Sequence, residues 1–181
     1  MAGSRTHVAL LRAINVGGRN GLPMKDLAAL CETAGCRDVV TSIQSGNVAF
    51  HATDAGAKQL PVVLERAILA HAKIAVPVIV RDAAALAAAA KANPFLKAGA
   101  DPAELYVGFL AAAPDATRIA ALDLKRSPPD ELHVRGGEVY FRFPRGAGQT
   151  KFTTTYLDSK LGTTITLRNW RTVGKLLELL S

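Results

Sequence analysis

Cysteine is scarce in this 181-residue chain, which carries only Cys31 and Cys36. That scarcity excludes a disulfide framework and a cysteine-based zinc cluster. Cys31 is expected as a small core residue and Cys36 as a loop thiol, with a redox pair as the alternative. No apolar run approaches the roughly 20 residues that span a bilayer. The stretch Val8-Ala9-Leu10-Leu11 is broken at once by Arg12, too early for the core of a signal peptide. A cytoplasmic protein with no membrane partner is therefore expected. The four histidines, His7, His51, His71 and His133, are scattered without metal-ligand spacing, so no metal site is expected. Ser45 lies in Gln-Ser-Gly and not in a G-x-S-x-G elbow, which leaves a Ser-His-Asp triad no foothold. Walker A and G-x-G-x-x-G spacings are missing, no carboxylate pair stands out, and no cofactor is implied. Enzyme activity is left open.

What is present is the composition of a folded globular protein, 49% hydrophobic and 20% charged. The net charge is +7. It is shared along the chain, since residues 1–91 hold ten Lys/Arg and six Asp/Glu and residues 92–181 hold twelve and nine. An even excess of this kind recruits polyanions or serves solubility, and there is no basic tail to favour the first.

The most informative positive feature is an internal echo. Ser45-Gly46-Asn47-Val48-Ala49-Phe50 is matched by Gly136-Gly137-Glu138-Val139-Tyr140-Phe141, and Val80-Arg81-Asp82 by Leu167-Arg168-Asn169, each of these opening an apolar helix. A repeat of that size is a duplicated domain and not a solenoid. Periodicity predicts a strand over 7–14, a helix from Pro23 to a stop at Gly35, and strands over 39–43 and 48–50. A helix beginning near Pro61, with Val63, Leu64, Ala67, Ile68 and His71 on its apolar face, precedes a strand over 76–80. That order is the split βαβ, ferredoxin-like arrangement. Asp82 then caps an alanine-rich helix. The second half repeats the scheme: a strand over 105–110, a short helix capped by Asp115, a hairpin across Arg135-Gly136-Gly137, a helix from Phe152 to Leu161, a strand over 164–167 and a final helix capped by Asn169. The expected fold class is α+β, a tandem duplication of a ferredoxin-like βαββαβ unit, each copy followed by an extra helix. The expected boundaries are 1–92 and 103–181, with a linker at 93–102, in one compact body.

Several motifs in the right order resemble the bacterial domain of unknown function 1697 family over essentially the whole chain. They are Val8-Ala9-Leu10-Leu11-Arg12-Ala13-Ile14-Asn15-Val16-Gly17-Gly18, Ile43-Gln44-Ser45-Gly46-Asn47-Val48, Val76-Pro77-Val78-Ile79-Val80-Arg81, Asn93-Pro94-Phe95 and Thr166-Leu167-Arg168-Asn169-Trp170. The family pattern usually has Gly where this chain has Ala13. The resemblance implies a tandem α+β fold in a small cytoplasmic bacterial protein, and it brings no activity or ligand with it.

Two candidate sites follow from the residues themselves. Asn15-Val16-Gly17-Gly18-Arg19-Asn20-Gly21 is a loop because glycine and asparagine favour turn conformations. In a split βαβ unit it lies at the same sheet edge as the turn carrying Gln44, Ser45 and Asn47. Arg12, Asn15, Gly17, Gly18, Arg19, Asn20, Gln44, Ser45 and Asn47 thus form a candidate ligand-binding group for phosphate, carboxylate or a base edge. The competing reading is that these side chains only satisfy loop backbone. The second candidate is a nucleic-acid surface at Tyr140, Arg142 and Arg145, by analogy with sheets that stack bases on aromatics. A binding protein for an anionic ligand is the leading expectation, with nucleic acid the first candidate. The alternatives are an enzyme acting on a small phosphorylated or carboxylated metabolite and a protein-interaction module. Oligomeric state is not legible.

Overall fold

The computed structural model describes residues 5–15, 21–42 and 46–181. The class is α+β, with two four-stranded antiparallel sheets and, among the described residues, seven α-helices. The chain divides into two compact units, one running to Ala88 and including Lys175–Ser181, the other covering Ala89–Gly174. The boundary therefore falls inside elements and not in a linker. Residues 93–102, expected as a linker, contain a short helix over Pro94–Lys97 whose first N–H groups are capped by Asn93.

In the first unit, β1 (His7–Leu11) is followed by α1 (Met24–Thr33), β2 (Arg37–Ser42), β3 (Asn47–His51), α2 (Asp54–Ala72) and β4 (Val78–Asp82). The strand order is β2-β3-β1-β4. The second unit carries β5 (Leu105–Leu110), β6 (Glu131–Arg135), β7 (Glu138–Arg142), the helix Thr154–Leu161 and β8 (Ile165–Asn169), in the order β6-β7-β5-β8. Around β1 and β5 the registers coincide residue for residue, whereas β2 carries a shift between Arg37 and Val40 that β6 lacks. His7 faces Phe50 and Asp82, and Tyr106 faces Phe141 and Asn169. Val8 pairs with Ala49 and Arg81, and Val107 with Tyr140 and Arg168.

The units also share fastenings that no sequence pattern displays. Glu65 Oε1 accepts the Val78 N–H at 2.8 Å, and Asp158 Oδ1 accepts the Ile165 N–H at 2.9 Å. Each carboxylate, projected from a helix, satisfies the first donor of the edge strand beside it. Each unit has its own core. Leu27, Cys31, Val48, Phe50, Leu64 and Ile68 are central to the first, and Leu110, Phe141, Phe143, Phe152 and Leu157 to the second.

Four expectations need correction. Strand β1 ends at Leu11, three residues early, because Ala13 and Asn15 take left-handed conformations at φ +53° and +54°. Helix α2 starts at Asp54 and not near Pro61: Thr53 caps it by accepting the Gly56 N–H at 3.2 Å, and Pro61 lies inside the helix. Ala57, Leu60, Leu64 and Ile68 are its buried face, which extends upstream of the proline and offsets the lost hydrogen bond. Val63 is off that face and 43% exposed. Strands β4 and β8 run two residues further than expected, so Arg81 and Arg168 belong to strands and not to helix starts. Asp82 and Asn169 remain the caps, accepting from Ala85 N and Thr172 N.

Candidate functional site

The candidate ligand edge is built where β1 ends. Leu11 N–H donates to Gly46 O at 2.8 Å, and Arg12 N–H donates to Pro77 O at 3.0 Å. Gly46 has φ +74°, and a Cβ placed on it would lie 2.8 Å from both Ile14 Cγ1 and Leu11 Cβ. Gly46, just before β3, is thus seated directly on Leu11 and Ile14 at the end of β1. His51 and Arg81 lie toward the opposite end, where His7 pairs with Phe50 and Asp82.

Two asparagines hold this edge from within. Asn15 Oδ1 accepts the Leu22 N–H and its Nδ2 donates to Leu22 O, both at 2.8 Å, a two-point clasp across the intervening loop. Leu22 itself is fully buried. Asn47, fully buried, donates from Nδ2 to Ser42 O at 3.2 Å across the base of the neighbouring turn. In these bonds both side chains satisfy backbone groups of neighbouring residues. Arg12 is half-buried beside them. Gly17, Gly18, Arg19, Asn20, Gln44 and Ser45 lie outside the described residues.

The corresponding edge of the second unit has the same backbone and different side chains. Leu110 N–H donates to Gly137 O and Ala111 N–H to Thr164 O, each at 2.9 Å. By register Ala111 stands where Arg12 stands and Glu138 where Asn47 stands. The loop that follows reads Ala111-Ala112-Ala113-Pro114. Among the described residues, Arg12 and Asn47 of the first edge have Ala111 and Glu138 as their counterparts on the second.

The second candidate, at Tyr140, Arg142 and Arg145, needs correction. Tyr140 is 1% exposed and its hydroxyl donates to Ala89 O at 2.9 Å, so its ring has no face for a base. Burial pushes its phenol up to about 12, with Glu138 adding to the effect. Arg142 bridges two carboxylates, Glu104 at 2.7 Å and Glu131 at 3.1 Å. These pairs, the Glu104 hydrogen bond foremost, raise its pKa further. Arg145 donates to Pro128 O. Strand alternation places Tyr140 on the face opposite Phe141, yet both are buried. A sheet covered on both faces defeats the inference from alternation to exposure.

Arg168, which belongs to the internal echo, lies inside the second unit. It is buried, its guanidinium donates to Thr166 Oγ1 at 2.9 Å and Leu167 O at 2.8 Å, and burial lowers its pKa to about 10. Among the described residues no group of His, Cys, Asp and Glu could hold a metal ion, and no helix is long and apolar enough to cross a membrane.

No curated protein matches this chain in sequence. Its fold is similar to that of a conserved bacterial protein, SP0830 from Streptococcus pneumoniae. The TM-score is 0.73 at 23% identity, over 99% of this chain and all of that one. A family model described as a protein of unknown function, DUF1697, matches residues 5–140. With the motifs along β1, β3 and β4 all inside that match, the chain belongs to the DUF1697 family.

Proposed function

We propose that the chain is a cytoplasmic binding protein for an anionic ligand, held at the polar edge of the first unit. The frame we infer is a tandem duplication of a ferredoxin-like βαββαβ unit in which one copy kept a bare edge and the other acquired a binding edge. The observation that carries this reading is the contrast between two edges that correspond in strand register. One has Arg12, Asn15 and Asn47, and its equivalent has Ala111, a run of alanine and Glu138. A backbone shared between copies is explained by folding alone. Arg12 and Asn47 on the first copy, where the second has Ala111 and Glu138, are not. Glycine-rich backbone presenting N–H groups, beside a guanidinium, suits phosphate or carboxylate oxygens.

Nucleic acid remains the first candidate, now through its phosphates and not through stacked bases, since Tyr140 is buried. The test is a thermal-shift screen against phosphorylated and carboxylated metabolites, together with single-stranded oligonucleotides at low salt. A ligand that prefers the native state raises the melting temperature by mass action. The shift is expected to vanish in Arg12→Ala and Arg19→Ala, each measured against its own ligand-free melting temperature. Oligonucleotide binding, where found, falls steeply with added salt as counterions are released. A stabilising ligand indifferent to both substitutions places the site elsewhere.

A further inference from the structure

Cys31 and Cys36 flank the stop of α1, and the hydrogen bonds there define their relation. Cys36 N–H donates to Cys31 O at 3.0 Å and Gly35 N–H to Glu32 O at 2.9 Å, with Gly35 at φ +93°. This paired pattern is the Schellman stop, in which the N–H after the glycine bonds back to the carbonyl five positions earlier, an arrangement that frequently brings those two side chains into contact. In this chain both of those positions are cysteine. Both belong to the same apolar cluster, at 0% and 5% exposure. Cys36 is also among the groups whose charge acts on Cys31. The chain has no third cysteine to compete.

We propose that Cys31 and Cys36 form a redox-modification site, a reversible intramolecular disulfide closing across the helix stop by exchange with a low-molecular-weight disulfide. Cys36, the less buried, loses its proton to solvent and its sulfur attacks one sulfur of the small disulfide. That S–S bond breaks and one small thiolate leaves. Cys31 then gives up its proton, attacks the Cys36 sulfur and expels the second small thiolate as the Cys31–Cys36 bond forms. Two electrons pass to the small disulfide, which departs as two thiols. Burial pushes the Cys31 thiol up to about 12 and the Cys36 thiol up to about 11. Thiolate is therefore scarce at neutral pH, and exchange accelerates as pH rises. Once closed, the ring ties the end of α1 to the entry of β2, which begins at Arg37.

The test uses the full chain, reduced, freed of reductant and incubated with oxidised glutathione at mildly alkaline pH. Intact mass and thiol titration are followed together. Both thiols are expected to disappear in step, giving a single-chain product lighter by two hydrogens that dithiothreitol restores. Cys31→Ala is expected to accumulate a glutathione adduct on Cys36. A persistent adduct on the wild-type chain with its second thiol free would overturn the proposal. So would a disulfide between two chains, or no reaction where the denatured chain reacts readily. The wild-type result decides the matter whether or not the variant folds.

Discussion

Gly46→Ala tests the junction on which the candidate site depends. Two costs meet at this residue. At φ +74° a side chain is strained, by about 1–2 kcal/mol for an L-residue in the left-handed region. The new Cβ would also press on Ile14 and Leu11 at 2.8 Å, and one of the two atoms struck is Leu11 Cβ, which moves only with its backbone. Overpacking of this kind costs about 1–3 kcal/mol, so the sum is about 2–5 kcal/mol. Two other glycines separate these terms. Gly35→Ala meets strain without contact, since φ is +93° and nothing lies within 4 Å; about 1–2 kcal/mol is expected. Gly108→Ala meets contact without that strain, 2.5 Å from Ile165 Cδ1 and 3.1 Å from Phe141 Cε2. Its expected cost is about 1–3 kcal/mol, toward the low end if Ile165 rotates away. Urea unfolding followed by circular dichroism gives each loss from the shift in midpoint at constant m. Should Gly46→Ala cost no more than Gly35→Ala, the turn does not rest on the end of β1 and the candidate edge is misassembled.

Ala13→Gly is expected to stabilise. Ala13 is exposed at φ +53°, and relief of about 1–2 kcal/mol of strain outweighs the added freedom of the unfolded chain, worth about 0.4–1 kcal/mol; a lower urea midpoint would contradict a left-handed Ala13. Tyr140→Phe removes the donor to Ala89 O and is expected to cost about 1–3 kcal/mol while leaving oligonucleotide affinity unchanged. Reduced affinity at unchanged stability would return Tyr140 to a recognition role. Alkaline pH is expected to destabilise the reduced protein from pH 9 upward. The thiols titrate at 9.0 unfolded but near 12 and 11 when folded, so the native state holds protons that the unfolded state has lost. Stability is full below 9.0 and declines through the folded values, Cys31 alone contributing about 1.4 kcal/mol per pH unit. Arg168, lowered to about 10, acts in the opposite sense above that pH, so the slope between pH 9 and 10 is the one to measure in wild type and in Cys31→Ala.

Most of the architecture was legible because it rests on patterns that sterics impose locally. The echo between Ser45–Phe50 and Gly136–Phe141 survives as matched registers of β3 and β7. Asp82, Asp115 and Asn169 were recognisable as caps because a short acceptor before an apolar helix has few other uses. Pro61 misled for a related reason. Proline usually opens a helix, but the apolar face of α2 reaches back through Leu60 and Ala57 and carries the helix past it. Ala13 hid the end of β1, since alanine gives no sign of a left-handed backbone where glycine would have. The aromatics of β7 were misread in part because burial on both faces of a strand is a property of the assembled unit and not of the strand's own sequence.

The site was legible only as a placement. Topology brought the residues after β1 beside the turn before β3, and Gly46 shows how closely they meet. Sequence could not say what Asn15 and Asn47 do there, because an asparagine that clasps a loop and one that binds a ligand are the same residue. The structure resolves that choice for their observed bonds, which go to Leu22 and Ser42. It also changes what a ligand would need. With the asparagines bonded to Leu22 and Ser42, the proposed site would draw its charge from arginine. Substituting Asn15 should therefore weaken binding in step with the stability it costs, whereas substituting Arg12 should weaken binding by more than its own stability cost accounts for. That difference separates a scaffold residue from a contact residue at one edge of one sheet. The second unit, with Ala111 at the same position, supplies the natural control for a fold that is intact without the cation.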